Sequence, residues 1–344
     1  MLAAAARRAP PLESTDGNSA IRHVGTVIAL AGQVGGAKLA DGLYRLRGKD
    51  LTVVVNTGDD YQHLGLAFSP DVDTMLYTLA GIASPSAGWE PEGETRATHA
   101  MLKKLGGPET PAAGDRSLAA PLLRSQGLAQ ERRPTEITLD FCRHLGITAR
   151  VLPMSDDPVH TYVITTEGVV SFNEFFNELG CEPTVRGFQY AGAEDARIPD
   201  ELLAALHAPD LEAIVLCPAN PYHAIQPILA VGGLYDLVRK CKAPVVAVSP
   251  IVGGRALTGS AGKMMRDLGR EPSARAAATE YLRLIDGFVI DLEDAQYVEG
   301  VRSLDLEVLS APTIMRSVED RTNLARKVLD FAAAIREKKA LEVE

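Results

Sequence analysis

Thr26-Val27-Ile28-Ala29-Leu30-Ala31-Gly32-Gln33-Val34-Gly35-Gly36-Ala37-Lys38-Leu39 decides the fold. Thr26 to Leu30 is a near-continuous apolar run, the form taken by a strand buried on both faces. The glycine loop at Gly32 to Gly36 ends it. Ala37 to Leu46 then places Leu39, Leu43 and Leu46 at helical spacing. A second strand, Leu51 to Val55, ends in Asn56-Thr57-Gly58-Asp59-Asp60. Strand, glycine loop, helix and strand within about 35 residues make a βαβ unit, which requires a parallel sheet.

The same form recurs downstream. Arg150 to Leu152 runs into Pro153-Met154-Ser155-Asp156-Asp157-Pro158, and Ala213 to Cys217 into Pro218-Ala219-Asn220-Pro221. Pro244 to Val248 runs into Ser249-Pro250-Ile251-Val252-Gly253-Gly254, and Phe288 to Ile290 into Asp291. The fold class is α/β: a mostly parallel sheet, of the kind the family resemblance below makes Rossmann-like, whose polar loops share the rim at the strands' carboxyl ends, where open sheets bind ligands. Tyr162 to Thr165 and Val169 to Phe172, around Thr166-Glu167-Gly168, form one antiparallel hairpin. Residues 85–133 are rich in Ala, Gly, Pro and Arg, with helical pieces at Thr98 to Leu105 and Leu118 to Leu128. They are expected to be a mostly helical insert of the kind that commonly covers an active site, which the resemblance below makes the acceptor site. The domain plan is thus a flexible leader over 1–23, a core of 24–84 and 134–344, and the insert.

Composition narrows the function. The 344 residues carry 45 acids against 35 bases, a net charge of −10, opposite in sign to a nucleic-acid footprint. No apolar run reaches the roughly 18–20 residues of a membrane span, and Met1 to Arg22 holds no signal-peptide apolar region. A cytoplasmic location is expected. Cys142, Cys181, Cys217 and Cys241 lack the spacing of a zinc site and read as reduced, buried thiols.

The acids are the strongest chemical signal. Asp59 and Asp60 close one strand, and Asp71-Val72-Asp73 follow eleven residues later. An extended 71–73 would point both carboxylates the same way, and hard cations such as Mg²⁺ take one or two carboxylates plus water and substrate phosphates. The alternative is surface acids with Asp73 capping a helix from Thr74. Gly32, Gly35 and Gly36, with Lys38 in the next turn, could let backbone N–H groups approach a phosphate, or form only a tight turn. Their spacing matches neither the dinucleotide nor the Walker pattern. On that reading Gly35→Val blocks nucleotide binding by filling phosphate space. Ser155-Asp156-Asp157 is a second acidic loop, Asn220 and Ser249 stand at rigid turns, and Gly253-Gly254 with Lys263 is a further anion-friendly loop. His99, His160 and His223 have no assigned role. No serine elbow and no Cys–His pair is present, so covalent catalysis gains no support.

Taken in order, Gly-Gln-Val-Gly-Gly-Ala-Lys-Leu (32–39), Val-Val-Asn-Thr-Gly-Asp-Asp (54–60), Pro-Asp-Val-Asp-Thr (70–74) and Leu-Pro-Met-Ser-Asp-Asp-Pro-Val (152–159) resemble the 2-phospho-L-lactate transferase (CofD-like) family of coenzyme F-420 biosynthesis. Asn-Pro (220–221), Val-Ala-Val-Ser-Pro-Ile-Val-Gly-Gly (246–254) and Gly-Lys-Met-Met (262–265) extend the resemblance. It implies transfer of a phospho-C3-acid from its guanosine diphosphate conjugate to the ribityl 5′-hydroxyl of the deazaflavin Fo, with release of GMP. It also implies Mg²⁺, a homodimer, and functional links to a phospho-acid guanylyltransferase and a γ-glutamyl ligase. By position, Asp59, Asp60, Asp71 and Asp73 would hold Mg²⁺, with Asp73 nearest the Fo hydroxyl. Asp73→Ala would then lower turnover far more than stability.

On the same resemblance, the 32–36 loop, Lys38, Asn56, Ser155, Asp156, Asn220 and the Ser249 to Gly254 loop would hold the nucleotide part. The insert with Trp89 would cover the deazaflavin. The family's Gly-Gly-Thr-Gly-Gly loop holds Gln33 and Val34 here, and its Ser-Asn-Pro reads Ala219-Asn220-Pro221. Such changes suit a different C3 acid, phosphoglycerate for example. Two other readings share some of these features. One is a related sugar-nucleotide-binding regulator without transferase activity. The other is an NAD-dependent dehydrogenase, which the glycine spacing and the Asp pair disfavour.

Overall fold

A computed structural model describes residues 25–109, 111–256 and 259–343. The leader expected over 1–23 lies outside the described residues. Along the chain, β1 (Thr26–Ala31) leads through Gly32 into α1 (Gln33–Arg47), and β2 (Leu51–Val55) follows. A small hairpin of β3 (Tyr61–His63) and β4 (Leu66–Phe68) precedes α2 (Pro70–Leu79), α3 (Ala97–Lys104), α4 (Ala119–Ala129) and α5 (Pro134–His144). The chain enters the sheet again at β5 (Arg150–Pro153). It then forms β6 (His160–Thr165), β7 (Gly168–Ser171), α6 (Phe172–Asn177), β8 (Val185–Ala191), α7 (Asp200–Leu206) and β9 (Leu211–Leu216). Next come α8 (Gln226–Ala230), α9 (Leu234–Lys240), β10 (Val245–Val248), β11 (Ile251–Val252), β12 (Arg255–Ala256), α10 (Ala261–Asp267) and α11 (Ala274–Thr279). The last elements are β13 (Gly287–Ile290), α12 (Val298–Arg302), β14 (Glu307–Ser310) and α13 (Val318–Val343).

Seven strands form one sheet in the order β14-β13-β10-β9-β1-β2-β5, with every neighbouring pair parallel. The expected parallel α/β sheet is therefore present. Alternation along β1 explains its unbroken apolar character. Ile28 and Leu30 face one core layer, and Val27, Ala29 and Ala31 face the other. Full burial of such a Leu or Ile stabilises by about 1.5–3 kcal/mol. The strand order runs outward in both directions from the β1/β9 boundary, which makes that boundary the topological switch point. On the far side of α1, buried Asp41 bonds Arg45 at 3.1 Å and Arg321 of α13 at 3.0 Å, anchoring the last helix to the first.

Several elements differ from expectation. The hairpin gains a third strand, β8, and Phe172 begins α6 under a Ser171 cap. The β3–β4 hairpin and the edge strand β14 lack the apolar runs of the inner strands. Residues 71–73 are not extended, and Asp73 is not a cap. Pro70 occupies the first helical position after Ser69, and both acids lie in the first turn of α2. Residues two apart on a helix point to different sides, so Asp71 and Asp73 diverge. The four cysteines form no disulfide; Cys142 and Cys217 are buried, whereas Cys181 and Cys241 are half-buried. Among the described residues no helix is long and apolar enough to cross a membrane.

Gly35 and Gly36 serve packing first. A methyl at Gly35 would overlap the Pro218 carbonyl oxygen, and one at Gly36 would press on Ala31. The side-chain space at Gly35 is thus taken by the loop after β9, not by open phosphate space. Gly35→Ala is expected to lower stability by about 1–3 kcal/mol through overpacking, and Gly35→Val by more, as read by urea denaturation. An unchanged midpoint for Gly35→Val would show that the two loops separate freely.

Candidate functional site

The loops after β1 and β9 meet at the switch point. Gly32 is the residue before α1 and offers no side-chain cap, so the helix's first N–H groups must find partners elsewhere. Asp71 supplies one: its Oδ1 accepts from the Gln33 N–H at 2.9 Å, and its Oδ2 accepts from Asn56 Nδ2 at 3.0 Å. Gly32 is required because a Cβ there would sit 2.6 Å from Asp71 Oδ2. Asn56 is fully buried, and its Oδ1 accepts the Gly58 N–H at 2.9 Å, shaping the turn that carries Asp59.

Asp59 faces the same place. Its Oδ2 lies 2.8 Å from His223 Nδ1, whereas its Oδ1 is buried with no partner among the described residues. His223 lies in a single π-helical turn, Pro221–Ile225, begun by Asn220, whose Oδ1 accepts the Tyr222 N–H at 3.0 Å. Burial, and then the nearby Asp59 charge, push the Asp71 carboxyl up to about 6. Both effects disfavour a second negative charge in a closed space.

Asp60 and Asp73 form a second set. Arg124 on α4 engages both oxygens of Asp73, with one contact at 3.3 Å, and also donates to the Ala67 carbonyl oxygen at 3.2 Å. Asp60 accepts from Ser69 Oγ at 2.8 Å. Burial holds its carboxyl well above the usual range, although the Arg124 charge opposes that. Asp60, Arg124, Tyr61 and Phe68 line a cavity of about 290 Å³ between the β3–β4 hairpin, α4 and the loop after β5. The Tyr61 and Phe68 rings stack with centroids 5.1 Å apart.

The four acids are therefore two pairs rather than one ligand set, because the helical turn at 71–73 separates them. Among the described residues, no three Asp, Glu, His or Cys side chains are arranged to hold a metal ion by themselves. Asp73 is also no loosely held rim carboxylate. Asp73→Ala would strand the buried Arg124 guanidinium, and breaking such a pair costs about 3–5 kcal/mol. Stability falls along with any activity.

The remaining expected residues are divided. Ser155 and Asp156 line the Asp60 cavity, but their polar atoms are engaged by the fold. Ser155 Oγ donates to the Arg197 carbonyl at 2.7 Å, and Asp156 accepts from the Thr135 N–H at 2.7 Å. Ser249 bonds within its own turn, and the Gly253 N–H is taken by Asp294 at 3.1 Å. Gly254 continues that loop with φ +73°. Among the described residues, none of the Ser249 or Gly253 hydrogen bonds reaches the acids. Lys38 is half-buried; burial, then the Arg321 charge of α13, lower its pKa. Lys263 bonds the Pro183 carbonyl and Asp267, so it is committed to structure. Trp89 is half-exposed and does not line the Asp60 cavity.

The residues not anticipated are Arg124, Gln33's side chain and His223. Arg124 had one local signal, a lone cation beside Leu122 and Leu123. For Gln33 the signal was a long polar side chain inside a glycine loop.

A parallel sheet with its polar loops gathered at a switch point defines a Rossmann-like α/β protein. The chain belongs to the 2-phospho-L-lactate transferase CofD family, whose model matches residues 27–314, and it is an enzyme of the transferase class. It is 40% identical over 314 residues to the 2-phospho-L-lactate transferase of Methanopyrus kandleri, covering 87% of this chain and 95% of that one. It is 36% identical over 318 residues to the phosphoenolpyruvate transferase of Kitasatospora aureofaciens, covering 90% and 98%. A solved Bacillus halodurans protein of the UPF0052 family shares the fold at a TM-score of 0.58 and 16% identity, covering 89% of this chain and 99% of that chain.

The Asp71 environment has a pH signature. A carboxyl raised to about 6 contributes stability that is present below about pH 4 and lost as pH rises through about 6. The loss is on the order of 2–3 kcal/mol in the ligand-free protein. Asp71→Asn is expected to remove that slope between about pH 4 and pH 7, whatever it does to absolute stability. Parallel stability–pH curves for the two proteins would show that Asp71 titrates normally.

Proposed function

We propose that the chain moves a phospho-C3-acid from its guanosine diphosphate conjugate to the ribityl 5′-hydroxyl of Fo, releasing GMP, with Mg²⁺ as cofactor. The observation that carries this is the Asp59 and Asp71 pair at the switch point, with one buried Asp59 oxygen lacking a partner among the described residues. Two crowded carboxylates that supply hard oxygens fit Mg²⁺, which takes one or two carboxylates and completes its shell with water and substrate phosphates. Bound there, the cation would neutralise diphosphate charge, the main demand of phosphoryl transfer.

The chain's own groups supply the rest. Asn56 and the Gln33 N–H hold Asp71 in place. The glycine loop brings backbone N–H groups near the diphosphate. The cavity beside Asp60, walled by Tyr61, Phe68, Val72 and Leu128, suits the flat deazaflavin ring. Asp60 takes the proton of the acceptor hydroxyl. Burial raises its proton affinity above that of an ordinary carboxylate, which makes it the stronger proton acceptor. Asp73, originally expected nearest the hydroxyl, has both oxygens on Arg124. It serves instead to hold that guanidinium beside the cavity.

Mass spectrometry tests the reading. Fo mixed with Mg²⁺ and a guanosine diphospho-C3-acid is expected to yield GMP and the phospho-acid diester of Fo. No product with the lactyl, enolpyruvyl or glyceryl conjugate would overturn it. Asp60→Asn is expected to lower kcat by about 100-fold or more with stability kept or raised, since a buried charge is removed. In direct competition the glyceryl conjugate is expected to lead, because Gln33 and Val34 alter the loop; a clear lactyl preference would refute that choice of acid.

A further inference from the structure

Gln33 occupies a backbone conformation that glycine prefers. Its φ is +58°, in the left-handed region that strains a residue with a side chain. The side chain is held at both ends: Oε1 lies 2.8 Å from the Asn220 backbone N, and Nε2 lies 3.2 Å from His223 Nε2. These contacts settle proton positions that no heavy atom shows alone. The Asn220 backbone N–H can only donate, so the amide oxygen of Gln33 must face it. The amide NH₂ then faces His223 and can only donate, so His223 Nε2 is the lone-pair nitrogen. An imidazolium would set two donors against each other there.

The His223 proton is therefore on Nδ1, which donates to Asp59 Oδ2 at 2.8 Å. The Phe172 ring stacks on the imidazole, with centroids 3.9 Å apart and planes within 18°, and fixes its plane. The other Asp59 oxygen is left buried and, among the described residues, unpartnered. With the opposite tautomer, the Nδ1 lone pair would repel Asp59 and the carboxylate would turn away.

We propose that Gln33, His223 and Asp59 form a positioning relay. Gln33 fixes the His223 tautomer, and His223 pins one Asp59 oxygen so that the other is presented to a divalent cation. Gln33 and His223 are positioning residues, and the inference rests on the reading of Asp59 as a cation ligand. From the left-handed position at the head of the loop, the one Gln33 side chain reaches both Asn220 and His223.

The full chain labelled with nitrogen-15 histidine tests the first half. Long-range nitrogen–proton spectra at neutral pH are expected to show His223, identified by its loss in His223→Asn, with a protonated Nδ1 and a bare Nε2. A protonated Nε2 would overturn the relay. Mn²⁺ titration followed by electron paramagnetic resonance, with no substrate present, tests the second half.

Gln33→Gly is expected to weaken Mn²⁺ binding by about 10-fold or more, the usual effect of losing a group behind a metal ligand. Its melting temperature should stay the same or rise, because glycine is unstrained at this φ. A purely structural role would move stability instead. His223→Asn keeps a donor where Nδ1 stands, so it is expected to bind Mn²⁺ within about 3-fold of wild type, and adding Gln33→Gly should change nothing further. Unaltered Mn²⁺ affinity in Gln33→Gly would overturn the relay while leaving the cation reading intact. No Mn²⁺ binding by wild type would overturn the cation reading, and the relay with it.

Discussion

A single buried carboxylate, Asp71, is shared by three segments that are far apart in the chain. It caps the start of α1 through the Gln33 N–H, holds the end of β2 through Asn56, and belongs to the first turn of α2. Gly32 must be glycine to let it in. The loops that carry Asp59 and His223 are then built around it. Charge so enclosed is unfavourable unless it is compensated, and the cation of the proposed function would supply that compensation at the same spot that organises the fold.

The central sheet was legible because its inner strands are buried on both faces and read as apolar runs. β14 lies at the edge, half-buried and opened by Glu307, and carries no such signal. The β3–β4 hairpin has only three residues a strand around Leu64-Gly65, too few to show a pattern, and β8 pairs with β6 across the intervening β7 and α6. That Asp59, Asp60, Asp71 and Asp73 gather at the rim was also legible. Their division into two pairs was not. Ser69-Pro70-Asp71 is a helix-start signal, and reading 71–73 as extended overlooked it. Arg124 and His223 meet their acids across 51 and 164 residues, separations that no local pattern encodes.

The two halves of the site differ in physical character. The Asp59 side is closed and hydrogen-bonded, and on the proposed function it is the side that takes the cation. The Asp60 side is an aromatic-walled cavity in which one guanidinium balances two carboxylates. An anionic donor and a flat, largely apolar acceptor would find different surroundings a short way apart along one rim, and the acidity of the whole chain is no obstacle once its acids are placed in this way.

Arg124 also bears on how such a sequence can drift. The helix that carries it is otherwise loosely invested in the core, with Leu122 and Leu123 more than half exposed. Neighbouring positions on one helix are thus under unequal constraint. The surface residues of α4 are free to be exchanged, whereas position 124 is tied to the rim of the parallel sheet. A lineage could remodel nearly the whole outer face of this segment and still keep it docked through Arg124 and its buried neighbours Pro121 and Gly127.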